Sequence, residues 1–217
     1  NAGDCCGYSK SKQIDDAGYI ADLIDATTAG GRFDQRRIYL AGFSNGAMLA
    51  YKVACEHSER IAAIASIGGS MSGKELPPPS PVSVLIIHGT GDRHVPYGGG
   101  AGKLAKWGYP VNKQSVEYAK TFWLKANNCL AKTSEHKGAV KTDKFYHAEG
   151  SSEVALVTIL GGKHSWPGGK RVARYGDKPY AGLDASALCW QFFARHSKEE
   201  KTTPKLAHTE TFNSTKQ

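Results

Sequence analysis

The sequence predicts an α/β fold with a mostly parallel sheet flanked by helices. Two observations carry this. Short apolar, β-rich runs alternate with helical segments along the chain, the pattern of a parallel sheet with crossover helices. Three residues able to act together, Ser44, Asp92 and His164, each sit in a loop directly after an expected strand. In such sheets functional loops lie beyond the carboxyl ends of the strands, so all three belong on one edge.

Taken in order, Gly18 to Ala26 (GYIADLIDA) repeats apolar residues at helical spacing, with Asp15 and Asp16 placed to cap its start and Gly30-Gly31 to stop it. Arg37 to Ala41 is a short β-rich run. It leads into Gly42-Phe43-Ser44-Asn45-Gly46, after which Ala47 to Glu56 reads as a helix. Ile61 to Ile67 is a small-residue apolar run, expected to be a buried strand. Leu76 to Pro81 (LPPPSP) is a stiff extended connector. Val82 to His88 (VSVLIIH) is the strongest buried-strand signal. A glycine-rich loop from Gly89 to Gly102 holds Asp92, His94 and Tyr97. Gln114 to Asn127 is expected to be a helix, Lys144 to His147 and Val154 to Leu160 strands, and Gly161 to Gly169 a loop. Asp184 to His196 closes the domain as an amphipathic helix. Residues 1–197 are thus read as one catalytic domain, and the polar segment 198–217 as a mobile tail.

Composition narrows the classes. The 217 residues are 40% hydrophobic and 22% charged, which suits a globular core and excludes collagen and wholly disordered chains. No apolar run is long enough to cross a bilayer. The net charge of +8 is scattered rather than striped, so neither nucleic acid nor membrane is an expected partner. The five cysteines, Cys5, Cys6, Cys55, Cys129 and Cys189, show no zinc-knuckle spacing. Their wide separation fits disulfides formed in an oxidising compartment, with one thiol left over; buried reduced thiols are the alternative. The sequence opens on Asn1 with neither a basic n-region nor an apolar h-region, so any signal peptide is expected to be already gone or never included. Asn213-Ser214-Thr215 has the pattern of a glycosylation acceptor, which is too short to identify the host.

The chemistry lies in the joint arrangement. Gly42-Phe43-Ser44-Asn45-Gly46 matches G-x-S-x-G between a strand and a helix, the setting of a nucleophile elbow. On its own it also fits a glycine-rich turn with an N-capping serine. Serine needs a base to take its proton, and the base needs an acid to hold its tautomer. His164 and Asp92 follow in the Ser…Asp…His order of α/β hydrolases. His88, Asp92 and His94 could be weighed as a metal site, but their loop spacing has no regular geometry; no metal and no cofactor is expected.

Beyond the elbow, the chain resembles the secreted polyhydroxybutyrate depolymerase/feruloyl esterase family of α/β-hydrolase serine esterases. The resemblance runs through Asn1 to Gly7 (NAGDCCG), Asp15 to Tyr19, Gly42 to Met48, Ala54-Cys55-Glu56, His88 to Asp92 with Val95-Pro96-Tyr97, Asn128-Cys129, and Gly162 to Gly168. It implies Ser44 as nucleophile, His164 as base, Asp92 as acid and the Asn45 amide as an oxyanion donor. It implies Tyr97 and Trp166 near the substrate, a disulfide from Cys5 or Cys6 to Cys55, and more weakly Cys129–Cys189. It also implies a secreted or periplasmic enzyme acting on feruloyl or short-acyl esters of plant polysaccharide. A polyester depolymerase and a non-catalytic carbohydrate-binding relic are the rivals. Family members carry early strands, and a loop supplying a second oxyanion donor, ahead of this region. The chain is therefore expected to be N-terminally truncated.

Overall fold

The computed structural model describes residues 2, 7–103, 113–171 and 176–199. Its six-stranded sheet has the order β1-β2-β3-β6-β5-β4. Four strands run parallel: β1 (Tyr39–Phe43), β2 (Ala63–Ile67), β3 (Ser83–Gly89) and β6 (Glu153–Ile159). The remaining two, β5 (Val140–His147) and β4 (Cys129–Lys137), add an antiparallel hairpin to one side.

Helices cover both faces, and the period-2 alternation of the strands divides the core. Ile64, Val84, Ile86, Val154 and Leu156 pack against α2 (Asp16–Thr28), α3 (Asn45–Glu56) and α4 (Val116–Ala126), through side chains such as Ala17, Tyr51 and Trp123. Ala63, Ala65, Ile67, Leu85, Ile87, Val157 and Ile159 point the other way, onto Cys189, Phe192 and Phe193 of α5 (Ala185–Ala194). Every residue of β2, β3 and β6 is buried. That explains why these strands read as continuous apolar runs rather than alternating ones. This is the α/β-hydrolase fold.

The expected helix starts are met by side-chain caps. Asp15 accepts from the Gly18 amide, Ser115 from Tyr118 and Asp184 from Ala187, each satisfying an amide the helix leaves free. Three elements depart from expectation. The one-turn helix α1 (Gly7–Ser11) has no apolar face to announce it and buries nothing. Strand β5 begins at Val140, four residues before the expected start. Strand β4, with sequence CLAKTSEHK, was not expected: it is an edge strand exposed along all but its first residue, so nothing imposes an apolar alternation on it.

The cysteines require a correction. Cys55, Cys129 and Cys189 are buried free thiols. Cys129 belongs to the core on one face of the sheet and Cys189 to the core on the other, so the sheet separates the pair expected to bridge. Cys55 is likewise unbridged, and its expected partners Cys5 and Cys6 lie outside the described residues. Burial pushes the Cys55 thiol up to about 12 and the Cys189 thiol to about 11.

Lys198, the first residue of the expected tail, is anchored. Its amide donates to the Arg36 carbonyl and its ammonium to that of Pro81. Residues 200–217 lie outside the described residues. Among the described residues no helix is long and apolar enough to cross a membrane.

Candidate active site

Ser44 sits between β1 and α3 with φ 57° and ψ −121°. A non-glycine residue rarely adopts a positive φ, and such strain concentrates at functional turns. The turn is held from both sides. The Ser44 amide donates to Ile67 at the end of β2, while its carbonyl accepts from the Ala47 and Met48 amides of α3. Its hydroxyl makes no capping bond to the helix, which removes the N-cap reading of this serine. Gly42 is what lets the turn close. A Cβ there would lie 2.3 Å from the Gly46 carbonyl carbon and oxygen and 2.5 Å from the Ala47 nitrogen.

The freed hydroxyl is 2.9 Å from His164 Nε2. His164 follows β6, and its Nδ1 is 2.7 Å from Asp92 Oδ2. Asp92 follows β3 and is buried. Its other oxygen accepts from the backbone amides of His94 and Val95, both at 2.8 Å. All its strong partners are donors, so the carboxylate is fixed in place. Burial pushes the Asp92 carboxyl up, but the hydrogen bond and charge of His164, the Val95 amide and His88 outweigh it and leave it below its ordinary value of 3.8. Asp92 is therefore ionised at neutral pH, and its bond to Nδ1 places the imidazole proton there. Nε2 then presents its lone pair to Ser44. The three residues expected to act together are thus in hydrogen-bond contact, in the order Ser44, His164, Asp92.

The flanking residues pack the imidazole. Phe43 lies against the His164 ring, with centroids 4.7 Å apart. Gly68, at φ 56°, forms the floor: a Cβ there would be 3.4 Å from His164 Nδ1 and 3.6 Å from Asp92 Oδ2. His94 lies on another side of the ring, and Asp177 accepts from the His164 amide at 3.3 Å. Asp177 carries no sequence signal, because it reaches the site from a loop that belongs to no element. His94 is visible in sequence only as a neighbour of Asp92.

Asn45 is exposed and is the first residue of α3, so its amide is among those a helix leaves without an internal partner. It can donate to an oxygen held at Ser44. Tyr97 is half-buried; its hydroxyl pairs with Thr158 of β6 at 2.9 Å and its ring stands edge-on to His88. Trp166 is half-buried and donates from its indole nitrogen to Ser186 at 3.0 Å. His88 is buried, and its Nε2–H donates to the Val95 carbonyl at 2.8 Å. Burial pushes its pKa down, so it is a neutral brace under the Asp92 turn. A cavity of about 730 Å³, lined by Ile24, Arg36, Arg60, Ser83, Ser152 and Lys198, lies at the amino-terminal end of the strands, away from Ser44.

Residues 7–120 match the Phospholipase/Carboxylesterase family. Feruloyl esterase B of Piromyces equi is 28% identical over 175 residues, which cover 78% of this chain and 32% of that protein. The protein named "Probable feruloyl esterase C" of Aspergillus clavatus is 29% identical over 155 residues, covering 70% of this chain and 51% of its own. The chain therefore spans between about a third and a half of the length of these relatives. Among solved structures, the acetyl xylan esterase from Aspergillus awamori superposes with a TM-score of 0.54 at 14% identity, covering 82% of this chain and 67% of that one; this similarity speaks to the fold alone. The family match spans Ser44 and Asp92 and ends before His164, and on that match the chain belongs to the phospholipase/carboxylesterase family of α/β hydrolases.

Proposed function

We propose that the chain is a secreted serine carboxylesterase that hydrolyses feruloyl or short-acyl esters, with plant polysaccharide as the expected carrier. The observation that carries this reading is the continuous path from Ser44 Oγ through His164 to a buried, ionised Asp92, with contacts of 2.9 Å and 2.7 Å. The feruloyl esterases among its relatives support the acyl group.

In this mechanism Ser44 Oγ attacks the ester carbonyl carbon as His164 Nε2 takes its proton. Asp92 stabilises the imidazolium that forms. The carbonyl oxygen becomes an oxyanion, and the Asn45 amide donates to it; one such donor is worth on the order of 10²–10³ in rate. When the intermediate collapses, the C–O bond to the alcohol breaks and His164 returns the proton to the departing oxygen. The acyl group remains on Ser44. Water then attacks it with His164 again as base, releasing the carboxylic acid and restoring the serine.

The test is fluorophosphonate labelling of the wild-type chain and of Ser44→Ala, with turnover of p-nitrophenyl acetate and methyl ferulate alongside. Labelling and turnover that both vanish in the variant are expected. A folded wild-type chain that neither labels nor turns over would leave a non-catalytic binding role. Clearing of a polyhydroxybutyrate suspension without methyl ferulate hydrolysis would move the substrate to polyesters.

A further inference from the structure

His94 has no part in the steps above, yet its ring lies against His164, with centroids 4.9 Å apart and planes tilted by 32°. One ring nitrogen of each histidine and one carboxylate oxygen of Asp92 all lie within 4.8 Å of one another. His94 Nδ1 is buried without a hydrogen-bond partner, and Asp177 Oδ2 stands 3.5 Å from it. Burial, with repulsion from His164, pushes the His94 pKa down, so its ring is neutral and offers a lone pair. His88 is not one of this group; its Nε2–H donates to the Val95 carbonyl.

Two imidazoles and a carboxylate form the donor set of a borderline transition-metal cation such as Zn²⁺, not of Mg²⁺ or Ca²⁺, which take oxygen ligands. Metal–nitrogen bonds of about 2.0–2.1 Å put neighbouring ligand atoms roughly 3.3 Å apart in a tetrahedral site. Ligand atoms already within 4.8 Å need only side-chain rotation to reach that spacing.

We propose that Asp92, His94 and His164 form an inhibitory site for a Zn²⁺-class cation, which switches off the base by occupying a nitrogen of His164. Either nitrogen has that effect. A cation on Nε2 takes the lone pair that would receive the Ser44 proton. A cation on Nδ1 takes the place of the ring's one proton, which moves to Nε2 and faces Ser44 in the wrong tautomer. In both cases Ser44 keeps its proton. The inhibitory consequence rests on the esterase reading above; the binding does not.

The experiment is isothermal titration of ZnCl₂ into the wild-type chain, His94→Gln and Ser44→Ala, with MgCl₂ as the control cation and p-nitrophenyl acetate hydrolysis in parallel. One saturable Zn²⁺ per chain is expected in the wild type and in Ser44→Ala, with no response to Mg²⁺. His94→Gln should bind at least about 10- to 100-fold more weakly, the loss seen even when an outer partner of a metal ligand is removed. Hydrolysis should fall with the same concentration dependence. On the wild-type chain alone, ZnCl₂ should protect both His94 and His164 from diethyl pyrocarbonate, read by peptide mass. Equal Zn²⁺ affinity in folded His94→Gln, no saturable binding in the wild type, or unprotected histidines would overturn the site. Zn²⁺ binding that depends on His94, in a chain with no esterase activity, would leave the site standing and remove the esterase reading.

Discussion

Ser44 Oγ and His164 Nε2 lie 2.9 Å apart although 120 residues separate them in the chain. The parallel sheet makes this possible. Ser44 leaves the carboxyl end of β1, Asp92 that of β3 and His164 that of β6, so three distant loops open onto one edge.

Asp92→Asn should separate the geometry of the site from its electrostatics. The carboxamide oxygen of this variant can still accept the His94 and Val95 amides that hold the turn. Its amide nitrogen would instead face His164 Nδ1, making Nδ1 an acceptor and putting the ring proton on Nε2. A fall in kcat of about 10⁴ is expected, the loss that the same change causes in serine proteases through the wrong tautomer. Ser44→Ala or His164→Ala should cost up to about 10⁶. Steady-state hydrolysis with denaturation curves checks both; an unfolded Asp92→Asn would mean that the carboxylate is chiefly structural.

The two glycines of the elbow should behave differently. Gly42→Ala places a methyl within 2.3 Å of backbone atoms that cannot move without opening the turn. It should cost at least about 1–3 kcal/mol and most of the activity. Gly46 lies in α3, and a methyl added there would meet nothing within 4 Å. Gly46→Ala should therefore leave stability unchanged or raise it by up to about 1 kcal/mol through helix propensity. Urea midpoints of the two variants decide the matter.

Stability should depend on acid through Glu153. This buried carboxylate lies 3.0 Å from Arg195 and 3.3 Å from His196, joining the start of β6 to the end of α5. Burial pushes its pKa up, but the contacts with His196 and with the Arg195 guanidinium outweigh that and hold it below 4.5. A depressed folded pKa means that the unfolded chain takes up the proton first. Its contribution is therefore complete above about pH 4.5 and is lost as pH falls through the folded value. Glu153→Gln should lower stability at pH 7 by about 1–3 kcal/mol and flatten this acid limb. Denaturation midpoints between pH 7 and pH 3 provide the measurement; parallel curves for the two proteins would exclude Glu153 as the cause.

The buried thiols should be silent in the folded protein. The thiolate is the reacting form, and burial raises the pKa of Cys55, Cys129 and Cys189 alike. Iodoacetamide at pH 8 should leave all three unmodified until denaturant is added, after which each alkylates without a reducing agent. A peptide mass showing Cys55 bridged to Cys5 or Cys6 would restore the disulfide that the resemblance implies.

Local signals accounted for much of this. The G-x-S-x-G turn, the residues after the expected strands and the order Ser44, Asp92, His164 were readable because each is a short run whose chemistry is set by its own residues. Strands β2, β3 and β6 were readable because burial on both faces favours apolar side chains at most positions, α2 because its apolar residues recur at helical spacing behind Asp15, and α5 because its sequence is amphipathic. The tertiary structure alone decided what depends on neighbours far along the chain. Strand β4 is polar because it pairs on one side and meets water elsewhere, so no pattern marks it. Cys129 and Cys189 sit in separate cores because a sheet lies between them, a fact that spacing does not encode. His94 and Asp177 meet at His164 only after two loops fold over the same edge. Local composition specifies which elements form and which residues can react; burial and loop convergence, which act between distant segments, decide which of those residues touch.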